Sequence, residues 1–131
     1  MAKKILGVLV DVENEKVEAM EIEDELDSFY KILNCSCIDI VVRNIGGRHR
    51  KAFDIICDDE GLFKESPKIS AVDNFGHTQL VGNLFITGTA DKEGNLTSLT
   101  ELDVEYIKSK VLKMPTRKHP KGYPMLTQCE Y

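Results

Sequence analysis

Apolar residues fall along this chain in two rhythms, one of period two and one near 3.6. Residues 3 to 12, "KKILGVLVDV", are apolar on both faces and predict a central strand. After the turn "ENEK", "KVEAMEIE" alternates, with Val17, Ala19 or Met20, and Ile22 on its apolar side, which predicts an antiparallel partner. "EDELDSFYKILN" then places Leu26, Phe29, Tyr30 and Leu33 at helical spacing, with acidic residues in the first turn and Asn34 as a stop. "CIDIVVRNI" and "KAFDIICDD" flank Gly46-Gly47 and predict a β-hairpin. Residues 61 to 78 have no clean period and predict a long loop, with room for a short strand. "QLVGNLFITGTA" predicts another strand, with Gly82 and Gly88 allowing a bulge or a close backbone approach. "TELDVEYIKSKVL" predicts the second helix, opened by a capping box of Thr100 and Asp103. These elements predict an α+β fold: an antiparallel or mixed sheet of about five strands with two amphipathic helices packed on it. The helices are expected near 23–34 and 100–112.

Residues 1–114 are expected to form a single α+β domain, followed by a proline-rich basic tail, 115–131. Pro115, Pro120 and Pro124 argue that the tail is neither helix nor central strand. Its anchors Tyr123, Met125, Leu126 and Tyr131 predict that it packs across the sheet or onto a second subunit, in a homodimer.

Charge adds a polarity to this outline. The 131-residue chain carries a net charge of −5, the wrong sign for a generic nucleic-acid binder, so nucleic acid is not an expected partner. Residues 11 to 27 are acidic, whereas 43 to 51 and 108 to 121 are basic, which is either a solvated face or a pair of complementary surfaces. No apolar run is long enough to cross a bilayer, and Asp11 and Glu13 interrupt the only leader-like stretch. A cytoplasmic protein is expected, with Cys35, Cys37, Cys57 and Cys129 as free thiols.

Four stretches carry candidate chemistry. Cys35-Ser-Cys37 would share one face of a strand, and with Cys57 could form a three-thiolate site, although Cys57 fits equally as a small buried hydrophobe. "DKEGNLTSLTEL" imitates a calcium loop but has Leu96 at the obligatory glycine and Leu102 at the closing glutamate, so no calcium is expected. Asp58, Asp59 and Glu60 form an acidic turn, and adjacent side chains on a turn point apart, which favours turn chemistry over a metal or acid–base site. Gly46 and Gly47, followed by Arg48, His49 and Arg50, offer backbone donors beside guanidiniums and suit a phosphate or carboxylate. No nucleophile elbow, zincin motif or phosphate loop is present, so no catalytic residue, metal or cofactor is expected.

The ordered pieces "ELDSFYKIL", "CIDIVV", "FDIICDDEGLFKESPKIS", "LVGNLFITG" and "GNLTSLTELDVEYI" resemble a family of small proteins of bacteria and their phages, catalogued only as a domain of unknown function. The resemblance covers roughly residues 3 to 112; the longer "RNIGGRHRKA" hairpin and the tail depart from it. It implies that Asp59, Glu60 and Gly61, with Gly82 and Phe85, form a recurrent unit. It also implies an accessory role in a phage or mobile element, without a known reaction. The expectation is therefore a non-enzymatic protein that binds a host protein or a small anionic ligand. The alternative is a metal-assisted enzyme on a nucleotide or phosphorylated metabolite, with Asp58, Asp59 or Glu60 at the ion and Arg48 or Arg50 at the phosphate.

Overall fold

The computed structural model describes residues 3–46, 51–59, 69–73, 75–114 and 123–130. Six strands, β1 (Lys4–Asp11), β2 (Lys16–Glu23), β3 (Ile38–Ile45), β4 (Ala52–Asp58), β7 (Leu84–Thr87) and β10 (Cys129–Glu130), form one antiparallel sheet. Its order is β10-β3-β4-β7-β1-β2. The strands β5 (Ile69–Val72), β6 (Thr78–Val81), β8 (Val111–Met114) and β9 (Tyr123–Leu126) form a second sheet, ordered β6-β5-β9-β8, in which only β5 and β9 run parallel. Two helices, α1 (Leu26–Leu33) and α2 (Glu101–Ser109), complete the described fold. None of the described helices is long and apolar enough to cross a membrane.

The period of two in β1 explains why this strand sits inside. Val8, Val10 and Val12 point to one face, where they join Phe53, Ile55, Leu84 and Ile86 in a core shared with Val104 and Ile107 of α2 and with the second sheet. Ile5 and Leu9 point to the other face and meet Phe29 and Leu33 of α1, Ile56 and Phe85. The large sheet is therefore packed on both faces, which is why β1 and β7 read as continuous apolar runs. Asn34 ends α1 in the left-handed region at φ 53, as its stop signal predicts. At α2, the Thr100 hydroxyl accepts from Asp103 N–H at 3.1 Å and the Asp103 carboxylate accepts from Thr100 N–H at 3.3 Å. The predicted capping box is thus formed.

The α+β class stands, but in place of the expected single sheet of about five strands the described residues form ten strands in two sheets. "QLVGNLFITGTA" is two strands, because Gly82, at φ 78, turns the chain from β6 in one sheet to β7 in the other. The helices are shorter than predicted: the chain leaves α2 at Lys110 and continues as β8. On β2, Val17 faces the α2 side, whereas Met20 and Ile22 pack beside the α1-side core, so no single apolar side exists. In the tail, Met125 and Leu126 are buried anchors as expected, but the segment carrying them is a central strand, against the reading of its prolines. Tyr123–Leu126 is a central strand between β5 and β8, and Met125, Leu126 and Cys129 are core residues.

Candidate functional site

The acidic turn closes β4. Asp58 is buried beside the β6–β7 turn, where a Cβ on Gly82 would stand 4.0 Å from that of Asp58. Asp59 is exposed, and its N–H donates to the Cys37 carbonyl at 3.1 Å. Cys57, Asp58 and Asp59 face residues 78–81 across a cleft of ≈ 230 Å³. Burial, with Asp39 next in effect, pushes the Cys57 thiol up to about 11, so it is protonated at neutral pH.

The three-thiolate arrangement does not form. Cys35 and Cys37 precede β3, so they share no strand. Cys35 packs against the α1-side core, Cys37 is exposed, and Cys57 belongs to the opposite core. Among the described residues, no three His, Cys, Asp or Glu side chains gather as a metal site. The calcium-loop imitation is a turn built around Asp91, whose carboxylate accepts from the Glu93 and Asn95 N–H groups, both at 2.9 Å. Leu96, which takes the glycine position of such a loop, is buried in the α1-side core.

The glycine-basic link stands elsewhere. Gly46, at φ 101, ends β3 and donates its N–H to the Gln128 carbonyl at 3.0 Å. Gly47, Arg48, His49, Arg50 and Glu60 lie outside the described residues. The β3–β4 register runs from Asn44↔Ala52, beside Gly46, to Ile38↔Asp58. These six steps place Asn44 and Ala52, at the link's end of the hairpin, about 20 Å from Asp58. Of the predicted ligand-binding residues, the described ones are Gly46, Asp58 and Asp59. Lys51, after the link, forms an ion pair with Asp103 at 2.5 Å and stands 5.6 Å from the centre of the Phe53 ring.

A third place was not singled out by sequence. Glu15, Lys16 and Val17 at the start of β2 face Lys108 in the last turn of α2, Val111, Leu112 and Lys113 of β8, and Pro124 of β9. The cleft between them is ≈ 280 Å³, at the small end of ligand pockets, which span about 300–1,000 Å³. Its floor is apolar and three of its lining side chains are lysines, one of them, Lys16, in an exposed ion pair with Glu18 at 3.4 Å. The one signal for it in the sequence is the basic segment beginning at Lys108. Nothing local connects that segment to Lys16.

No curated protein and no solved structure matches the chain. A family model described as "Domain of unknown function (DUF3846)" matches residues 5–112, from the second residue of β1 into β8, so that β9 and β10 lie beyond the matched span. That span covers most of the 131 residues, and the chain belongs to this family.

Proposed function

We propose that this chain acts by binding, as an accessory protein of a phage or other mobile element, and that its ligand is anionic and occupies the cleft between β2 and β8. The observation that carries this is the chemistry of the lining: Lys16, Lys108 and Lys113, three cations against the one carboxylate of Glu15, around Val17, Val111 and Pro124. Ammonium groups on flexible stems attract a carboxylate or phosphate, and an apolar floor takes the carbon part of the same molecule. A small organic anion or an acidic segment of a host protein meets both demands.

Thermal shift with citrate, a nucleoside monophosphate and a medium-chain fatty acid tests it. A ligand present at ten times its dissociation constant adds about 1.4 kcal/mol, a rise of several degrees for a domain of this size. The shift should shrink with added salt and vanish in the double variant Lys108→Glu/Lys113→Glu. Equal shifts in that variant, or no shift with any anionic probe, peptide or small molecule, would remove the proposal.

A further inference from the structure

The cleft is bordered by the edges of both sheets, and this limits the shape of what fits. β8 is the outer strand of the second sheet, paired only with β9 among the described residues. The Lys110 carbonyl accepts from Thr127 N–H at 2.8 Å, which fixes the phase of the β8–β9 ladder. An antiparallel ladder alternates between pairs that exchange hydrogen bonds and pairs that do not. With the register Val111↔Leu126, Leu112↔Met125 and Lys113↔Pro124, Leu112 exchanges bonds with Met125. The N–H and C=O groups of Val111 and Lys113 then turn away from β9. Pro124 fits opposite Lys113 because that position asks for no N–H.

The same counting applies to β2, the outer strand of the first sheet. Asp24 N–H donates to the Lys3 carbonyl at 2.7 Å, and the register continues without a shift to Asp11↔Lys16. Val17, opposite Val10, therefore directs its backbone groups outward. Val17, Val111 and Lys113 all line the one cleft.

We infer that the cleft takes an extended acidic peptide, which adds to the β8 edge through the outward backbone groups of Val111 and Lys113 while its carboxylates meet Lys16, Lys108 and Lys113. This rests on the anionic ligand proposed above and narrows it to a segment of a partner protein. Strand addition supplies main-chain hydrogen bonds, and alternate side chains supply selectivity. A peptide alternating Asp or Glu with aliphatic residues would set carboxylates beside the ammonium groups and aliphatic groups beside Leu112, which is 53% exposed. Lysines on an edge strand also keep like edges apart, so guarding is the competing role.

The test titrates the full chain with blocked hexapeptides alternating Glu with Val, Ile, Leu or Thr, following amide exchange by NMR. The bound peptide should slow exchange of the Val111 and Lys113 amides, and N-methylation of its alternate residues in one phase should weaken binding about tenfold or more. Lys108→Glu/Lys113→Glu should lose the peptide. Binding without amide protection and indifferent to N-methylation overturns strand addition and leaves the anion site standing. So does citrate binding with no peptide binding. Failure of both probes removes the anion site as well. A charge-reversed variant that aggregates yet binds the peptide as tightly as before shows guarding and overturns the inference.

Discussion

Phe85 occupies the space that a side chain on Gly7 would need. A Cβ at Gly7 would lie 2.5 Å from Phe85 Cζ and 2.7 Å from the Ile86 carbonyl oxygen. Phe85 belongs to the α1 face of the large sheet, where Leu9↔Phe85 is the cross-strand pair two positions along from Gly7. Because the Ile86 carbonyl is backbone, it cannot move aside as a flexible side chain would. Gly7→Ala should therefore destabilise the chain by about 1–3 kcal/mol, the usual cost of overpacking. Phe85→Leu in the same chain should recover only the part due to the ring. Urea unfolding of the three variants measures this, and a Gly7→Ala variant as stable as the parent would refute it.

Asn83 ties the end of β1 to the start of β7. Its buried side-chain oxygen accepts from Val12 N–H at 3.0 Å and from Glu13 N–H at 3.4 Å. Replacing it with Ala strips the Val12 donor of its partner in a buried place and should cost about 1–3 kcal/mol. Asn83→Asp keeps an acceptor there and should cost less at neutral pH. The two denaturation midpoints decide the matter: equal losses would mean that the oxygen is not what matters.

The elements that could be read from the sequence were those encoded within a dozen residues. The β3–β4 hairpin, the Thr100–Asp103 capping box and the Asn34 stop each depend on neighbours. β8, β9 and β10 are not predicted, β5 is met only as room for a short strand, and β6 is merged with β7, because four residues or fewer are too few to show a period. Pro124 added a misleading signal, since proline argues against an interior strand. It is tolerated because it stands opposite Lys113 where the ladder exchanges no bond, and beyond the single β5–β9 partnership at Leu126. The lysine-lined cleft was invisible for a different reason. Lys16 and Lys113 are brought together by two sheets meeting edge beside edge, and no spacing along the chain encodes that.

The four thiols should separate by reactivity. Cys37 is exposed and Cys35 half-buried, whereas Cys57 and Cys129 are buried. Burial pushes Cys129 up to about 12 and Cys57 to about 11, from a free-thiol value of 9.0. Iodoacetamide at pH 8 should label Cys37 first and leave Cys57 and Cys129 untouched until the chain unfolds, as intact mass will show. The shifts also have a consequence for stability. A thiol whose folded value is raised contributes in full below pH 9 and loses that contribution as pH climbs through its folded value, because the unfolded chain sheds its proton first. Cys57 and Cys129 should thus each remove about 1.4 kcal/mol per pH unit between 9 and its own folded value. Cys129→Ala should flatten the alkaline decline relative to the parent, and parallel curves would contradict the assignment.

The last expectation concerns residues 123–130. Leu126 is fully buried, pairs with Val111 of β8 and Ala71 of β5, and sits in the same core as Ile45 and Ile107. Cys129 pairs with Ile45, which closes the outer edge of the large sheet at that end. This segment therefore joins the two sheets and is part of the core, although it lies beyond the span matched by the family. Leu126→Ala should cost about 2–5 kcal/mol, as for other fully buried leucines. Removing 115–131 should do more, because β8 would lose its partner strand and β5 its inner neighbour, exposing apolar faces of both. Calorimetry of the truncated chain should show loss of the cooperative transition, and light scattering should show self-association through the uncovered core. A truncated chain that stays monomeric and melts within about 2 °C of the parent would show that the two sheets hold together without this segment.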